Sequence, residues 1–253
     1  MNGEEMNQRL QEAYADWKRS LQFAADDAAQ LSPPLLLSVP PGYIEADRRI
    51  LFFGQETFGW TWTRNLRKDY PKYEVDYPYT DIFNLKDFIA NDDAVEALCW
   101  AYRAFDFAKY QPVNHRSLFW QAFREVQGWR DAGLISSNLS RFDYQGGSVD
   151  KTPEALRTYL AKCQCELIAK ELEILQPHVC LFFTGSRNDN FLSGVFPDCT
   201  FTQIVDEIPK GQLARIGHPR LPASSFRTGH PTTLSVDKHW DFIEQIRKFC
   251  EPQ

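Results

Sequence analysis

Two short apolar runs constrain the fold of this chain more than any other feature. Residues 50–53 (Ile-Leu-Phe-Phe) and 179–183 (Val-Cys-Leu-Phe-Phe) contain apolar residues only, which is typical of strands that are covered on both faces. Between them lie long segments with helical spacing, the clearest of which spans residues 156–175. Buried strands that alternate with long helices predict a mainly parallel sheet. We therefore expect a three-layer α/β/α fold whose short central sheet has about four strands.

Helical spacing also marks the N-terminal part of the chain, where leucine and aromatic side chains recur three or four residues apart over residues 6–31. We expect residues 1–47 to form a helical annex that packs on an α/β domain of residues 48–253. The aromatic-rich residues 57–80 are predicted to form a long ordered loop. Further strands are predicted at residues 134–139, 201–208 and 224–227, and further helices at residues 85–110, 116–128 and 237–250.

The composition limits the expected location, partners and cofactors. The net charge of −6 argues against broad affinity for nucleic acid, because such affinity depends on cationic side chains that neutralise phosphates. No apolar run approaches the ~18 residues of a membrane span, and the polar N-terminus differs from a secretory signal. We therefore predict a cytoplasmic protein without a membrane partner. None of the cysteines forms a CxxC pair, so we expect free thiols, no metal and no cofactor.

Polar turn residues follow each predicted strand of the parallel sheet. Right-handed crossovers bring the carboxyl ends of parallel strands to one edge of a sheet. Because ligands in such sheets bind beyond these ends, we expect one shared binding site there. The strand ends are Gly54-Gln55-Glu56, Asn138-Leu139-Ser140, Gly185-Ser186-Arg187 and Gly229-His230.

Two of these strand ends carry recognisable motifs. Residues 54–58 are Gly-Gln-Glu-Thr-Phe, and residues 230–235 are His-Pro-Thr-Thr-Leu-Ser at the start of a predicted helix. They resemble the two motifs of the uracil-DNA glycosylase superfamily, Gly-Gln-Asp-Pro-Tyr and His-Pro-Ser-Pro-Leu-Ser. The strand that ends at Asn138 and the strand of residues 179–183 are similar to the second and third strands of that family in order and character. The resemblance spans roughly residues 48–250.

The resemblance implies a hydrolase that cleaves the N-glycosidic bond of uracil or a modified base in DNA, after the nucleotide flips out of the base stack. It assigns catalysis to three residues. Glu56 would activate water or stabilise the cationic sugar, and Gln55 would contribute backbone and amide contacts in the same pocket. His230 would donate a hydrogen bond to O2 of the departing base as a neutral imidazole. The implied partner is DNA that contains such a base.

The resemblance also implies residues that bind the base and the DNA. Asn138 would read the pyrimidine edge with one donor and one acceptor, and Gly54 would line the base pocket. Phe58 would stack on the base or wall it off. Leu234 would fill the gap left by the flipped nucleotide. The remaining DNA contacts would come from Ser186, Arg187 and Ser235, the last together with the helix N-terminus.

Departures from the family motifs leave alternatives open. Glu56 stands where the family has an aspartate, and Thr57 and Thr233 stand where it has prolines. With the acidic net charge, these changes are compatible with a binding module of the same fold that recognises a nucleobase or nucleic acid without turnover. A glycosidase acting on a small nucleoside-type substrate is a third hypothesis. As the site histidine, His218 ranks second to His230, because the residues that follow its Gly-His-Pro sequence do not continue the motif.

Overall fold

The computed structural model of the protein describes residues 2–61, 79–106 and 117–250. Within these ranges the chain forms six β-strands and nine α-helices, which we number in chain order. The strands are β1 (Arg48–Glu56), β2 (Ala132–Ser140), β3 (Val179–Phe182), β4 (Thr200–Thr202), β5 (Leu213–Gly217) and β6 (Ser224–Thr228). The helices are α1 (Gly3–Ser20), α2 (Ala25–Gln30), α3 (Leu85–Ala90), α4 (Ala94–Asp106), α5 (Leu118–Gln127), α6 (Glu154–Leu175), α7 (Asp189–Val195), α8 (Pro231–Asp237) and α9 (Phe242–Cys250).

The strands of the described residues form one mixed sheet in the order β2-β1-β3-β6-β5-β4. β2, β1, β3 and β6 are parallel to one another, whereas β5 is antiparallel to β6 and β4 is antiparallel to β5. The predicted α/β class is therefore confirmed, and the predicted number of about four strands describes only the parallel part. Strand β5 was not predicted because an arginine interrupts its five residues, Leu-Ala-Arg-Ile-Gly.

Several predicted elements have other bounds in the structure, and the helix predicted over residues 237–250 begins only at Phe242. The helix predicted over residues 85–110 is split into α3 and α4 by a turn at residues 91–93. Of the strand predicted over residues 201–208, only β4 pairs with a neighbour. The chain turns after β4, and a hydrogen bond from Ile208 N to Val205 O, 3.1 Å long, closes that turn. Local turns therefore interrupt the predicted helix and shorten the predicted strand, and residues 107–110 of the predicted helix lie outside the described residues.

Helices cover both faces of the sheet. Because neighbouring residues of a strand point to opposite faces, β1 contributes to two apolar clusters. Leu51 and Phe53 pack in one cluster with residues of α1, α4 and α6. Ile50 and Phe52 pack in the other cluster with residues of α5 and α9. The sheet therefore lies between two layers of helices.

The N-terminal segment packs on helix α6. The helix predicted over residues 6–31 is two helices, since the backbone is extended at Leu21 and α1 ends at Ser20. Trp17 of α1 donates from Nε1 to the carbonyl oxygen of Cys163 at 2.9 Å. Residues on both sides of position 47 share one apolar cluster. The predicted boundary between an annex and a domain therefore stays a prediction.

Two further predictions concern the aromatic loop and the location of the protein. Most of the loop predicted over residues 57–80 lies outside the described residues. Among the helices in the described part of the chain, none has the length and apolarity that crossing a bilayer requires. The cytoplasmic location stays a prediction.

Candidate functional site

The carboxyl ends of β2, β1, β3 and β6 lie side by side at one edge of the sheet, because these strands are parallel neighbours. Gly54 of β1 is opposite Asn138 of β2 in the strand pairing. The polar turns that the sequence places after these strands are therefore together, as predicted. We define the strand-end site by the residues at this edge: Gly54–Glu56, Asn138, Thr184–Gly185 and His230.

Two hydrogen bonds join the strand ends across the sheet. Gln55 donates from Nε2 to the carbonyl oxygen of Thr184 at 2.8 Å, which links β1 to the residues after β3. The backbone N–H of Gly185 donates to the carbonyl oxygen of Thr228 at 2.9 Å, which links the same residues to β6. The side chain of Gln55, predicted to be catalytic, is therefore occupied in fixing the shape of the site.

Asn138 leans across the end of β1 because Gly54 has no side chain. A Cβ atom built on Gly54 would lie 2.4 Å from Asn138 Oδ1 and 2.7 Å from Cε2 of Phe119. The half-buried carboxamide of Asn138 has no hydrogen-bond partner among the described residues. A carboxamide offers both donors and an acceptor, so this group is free to bind a ligand that presents one of each.

Phe119 is a site residue that sequence reasoning missed. It lies at the start of α5, where the side chain of Ser117 caps the helix by accepting a hydrogen bond from Trp120 N. Its half-buried ring packs edge-on against Phe52, with 5.1 Å between the ring centroids. Only its place at the start of a predicted amphipathic helix could have been a signal. The packing of that helix on the sheet brings the ring to Gly54 and Asn138.

Glu56 combines a structural contact with a position at the site. Its Oε2 accepts a hydrogen bond from the backbone N–H of Val149 at 2.6 Å, which holds the 3₁₀ turn of Val149–Lys151. Burial raises the pKa of this carboxyl group, while hydrogen bonds from Val149 and from the side chain of Ser148 oppose the rise. Glu56 is thus a half-buried, tethered carboxylate rather than a freely moving one.

His230 is held as a neutral imidazole with one nitrogen available. It is the N-cap residue of α8, and its Nδ1 accepts a hydrogen bond from Thr232 N at 3.3 Å. Because Nδ1 is the acceptor, the proton of the neutral ring is on Nε2. Burial lowers the pKa of His230, which favours this neutral form. Within the described residues, Nε2 has no hydrogen-bond partner, so its N–H can donate to a ligand.

The competing histidine, His218, lies at the opposite edge of the sheet. It follows β5, and β5 is antiparallel to β6, so the carboxyl end of β5 is near the amino end of β6. Its Nδ1 accepts from Arg220 N at 3.2 Å, and its ring packs against Phe196 with the centroids 5.4 Å apart. The strand direction therefore separates His218 from the strand-end site.

Three further predicted contact residues differ in exposure: Leu234 is buried, and Ser235 and Phe58 are exposed. Leu234 is only 3% exposed and packs in the core, because it lies on the same face of α8 as the buried Pro231. This position does not fit a side chain that fills the gap of a flipped nucleotide. Ser235 is exposed in the middle of α8, away from the N-terminal amides. Phe58 is 81% exposed, because Thr57 turns inward beside it instead.

Ser186 and Arg187, the remaining predicted DNA contacts, lie next to Gly185 of the site. Ser186 and Arg187 are exposed and follow Gly185 directly, in a 3₁₀ turn that precedes α7. The backbone N of His230 is 3.9 Å from the position of a Cβ atom on Gly185, so this turn borders the histidine. Ser186 and Arg187 therefore border the strand-end site, and their contact with DNA stays a prediction.

Comparison with known proteins does not identify a family for this chain. No protein-family model matches the sequence, and no curated protein matches it. Within the described residues, no group of three histidine, cysteine or acidic side chains is arranged to hold a metal ion. The function is therefore argued from the geometry of the strand-end site.

Proposed function

We propose that this protein hydrolyses the N-glycosidic bond of uracil, or of a base with the same hydrogen-bonding edge, in DNA. The observation that carries the proposal is the pair of unused polar groups at the strand-end site. Among the described residues, neither the carboxamide of Asn138 nor the Nε2–H of His230 has a hydrogen-bond partner. A base with an amide-like edge and a second carbonyl satisfies both groups at once.

The spacing of the strands supports one ligand between these two groups. Asn138 is on β2, and His230 follows β6, with β1 and β3 between them. Three strand spacings correspond to about 14 Å between the backbones. The two side chains, two hydrogen bonds and one pyrimidine ring can fill such a distance. The ring of Phe119 beside Asn138 offers an aromatic face for the base.

The proposed chemistry uses this arrangement directly. As the bond between C1′ and the base nitrogen breaks, its electron pair moves to the base, and the sugar gains cationic character. The Nε2–H of His230 donates to the carbonyl oxygen on which the negative charge develops. The carboxylate of Glu56 stabilises the cationic sugar and accepts a proton from the water whose oxygen bonds to C1′. The resemblance of residues 54–58 and 230–235 to the uracil-DNA glycosylase superfamily supports the same reaction.

A second candidate is a module that binds the base without cleaving it. The observation that favours it is the tether of Glu56, whose Oε2 is occupied by Val149 N. If this carboxylate serves only to hold the turn of Val149–Lys151, no other carboxylate among the strand-end site residues we define is placed to activate water. In that case Asn138, Phe119 and His230 recognise a base, and no bond breaks.

The test is base excision from single-stranded and duplex oligonucleotides that contain one uracil, with alkali cleavage to report abasic sites. We expect product with the wild-type protein and with His218→Ala, whose histidine is at the opposite edge of the sheet. We expect none with His230→Ala. Equal product from both histidine variants would contradict the proposed role of the strand-end site. Binding of the oligonucleotides without product, by the wild type, would identify the binding module instead.

A further inference from the structure

A fully buried polar network lies directly behind the strand-end site. Arg141 follows β2, and its guanidinium pairs with the carboxylate of Glu171 on α6, both side chains being no more than 1% exposed. Tyr14 of α1 donates from its hydroxyl to the other carboxylate oxygen of Glu171 at 2.8 Å. The buried network, as we call it, consists of Tyr14, Ser137, Arg141, Gln164 and Glu171.

The buried network holds β2 on both sides of Asn138. Nη1 of Arg141 donates to Ser137 Oγ at 2.6 Å, one residue before Asn138. The backbone of Arg141 is fixed as well, since its N–H donates to Oε1 of Gln164 and its carbonyl accepts from Leu35 N at 2.9 Å. The chain that carries Asn138 is thus fixed at residue 137 and again at residue 141.

Stability alone is a poor explanation for this arrangement. A buried ion pair loses hydration on both partners, and apolar residues of similar volume are often at least as stable. The pairing here is also incomplete, because the buried Nε–H of Arg141 has no acceptor among the described residues. The network instead defines the position of the β2 backbone, since each of its hydrogen bonds has a preferred geometry.

Asn138 needs such a support more than the other site residues do. His230 is oriented by its own bond to Thr232, and Glu56 by its bond to Val149. The carboxamide of Asn138 has no partner in the described part of the protein to orient it. Its position therefore depends on the backbone of β2, and small displacements of a binding group reduce binding strongly.

We propose that Tyr14, Glu171 and Arg141 are positioning residues for Asn138, so that helix α1 takes part in base recognition without touching the base. The effect of these residues on substrate binding rests on the proposed function. Their effect on the backbone of β2 follows from the structure alone. Tyr14 also accepts a hydrogen bond from Leu37 N at 3.0 Å, so it joins α1, the following extended segment and α6.

The test uses Tyr14→Phe, with Tyr43→Phe as a matched control. Tyr43 is equally buried and donates to Leu175 O at 3.4 Å, but its backbone lies against Gly133, at the amino end of β2 and away from Asn138. We expect hydrogen exchange of the amides at residues 137–141 to be about tenfold faster in Tyr14→Phe, as for the loss of one hydrogen bond, and unchanged in Tyr43→Phe. Equal exchange in both variants would overturn the proposal.

Kinetics provide the readout that a merely structural role does not change. With the uracil oligonucleotide, we expect Tyr14→Phe to raise KM about tenfold while kcat stays within about twofold, because Asn138 binds the base and His230 assists its departure. Ser137→Ala, which removes the last link of the network, should behave in the same way. A lower kcat at constant KM would contradict positioning. Hydrogen exchange is measured without ligand, so it tests the support of β2 independently of catalysis. If the wild type cleaves nothing, that result would refute the proposed function and leave the proposed positioning role standing.

Discussion

Replacing Glu56 by glutamine separates the contact that the structure shows from the catalytic role that we propose. Glutamine keeps an oxygen that can accept the hydrogen bond from Val149 N, but it has no charge to stabilise a cationic sugar and cannot accept a proton from water. Alanine removes both the acceptor and the charge. The two variants therefore lose the same chemistry and differ only in the support of the turn of Val149–Lys151.

The expected magnitudes follow from that hydrogen bond. Hydrogen bonds to a charged group contribute about 1.5–3 kcal/mol and neutral ones about 0.5–1.5 kcal/mol, so glutamine holds the N–H of Val149 less strongly. Because burial raises the pKa of Glu56, the folded protein disfavours its charge, and removal of that charge offsets the weaker hydrogen bond. Glu56→Gln should therefore change the free energy of unfolding by less than about 1 kcal/mol. Glu56→Ala leaves the N–H of the buried Val149 unpaired and should cost about 1–3 kcal/mol. In a chain of this length, ~1 kcal/mol corresponds to about 2–4 °C in Tm.

Excision rates then distinguish the two roles of Glu56. General acid–base groups contribute about 10²- to 10⁴-fold, so both variants should lose that much in the single-turnover rate on uracil oligonucleotides. Thermal unfolding, followed in parallel, should show the smaller loss for Glu56→Gln. Wild-type excision by Glu56→Gln, with a lower Tm for Glu56→Ala alone, would refute the catalytic role and leave the carboxylate as a support of the turn.

Three further substitutions test the other parts of the site. Gly54→Ala should displace the Asn138 carboxamide and the Phe119 ring, and should weaken oligonucleotide binding measured by fluorescence anisotropy. The control Gly211→Ala, which has open space around it, should bind like the wild type. Equal binding by both variants would contradict the close approach of Asn138 and Phe119 to Gly54. Phe119→Leu should raise KM about 5- to 160-fold, since stacking of a base on an aromatic ring contributes about 1–3 kcal/mol. An unchanged KM would exclude stacking on Phe119. Because burial lowers the pKa of His230, the folded protein binds fewer protons at this ring than the unfolded chain does. Below pH 6.5 the stability of the wild type should therefore fall relative to that of His230→Asn as the pH decreases. Parallel stability curves of the two proteins would show that burial does not keep this ring neutral.

The parallel part of the fold and the convergence of its strand ends could be predicted from the sequence. Residues 50–53 and 179–183 are apolar without interruption, and such runs have few alternatives to a buried strand. Once these strands are parallel, the residues that follow them must lie at one edge of the sheet, independently of the loop conformations. This is why Asn138 and His230 could be placed together before any tertiary contact was known.

Other parts of the site depend on contacts that no local pattern contains. Arg141 and Glu171 are charged, and charge alone favours exposure, but each is buried because the other lies opposite it. The motif implies that Leu234 fills the gap of a flipped nucleotide, whereas the packing of α8 buries it in the core together with Pro231. Phe119 reaches Gly54 only through the docking of α5. Such features follow from tertiary packing, which overrides local pattern.

The longer side chain of Glu56 explains in the structure how this sequence differs from the motifs that it resembles. An aspartate at this position is shorter by one methylene, and the carboxylate of Glu56 reaches the turn of Val149–Lys151 with that additional length. In the family motif a proline stiffens the next position, whereas here Thr57 is buried and its hydroxyl lies 3.3 Å from that of Ser32. The turn after β1 is therefore fixed by hydrogen bonds to two other segments instead of by a proline ring. Rigidity of this kind is what a carboxylate needs in order to act at one defined point of a reaction, so the replacements are compatible with catalysis as long as Glu56 keeps one oxygen for the substrate.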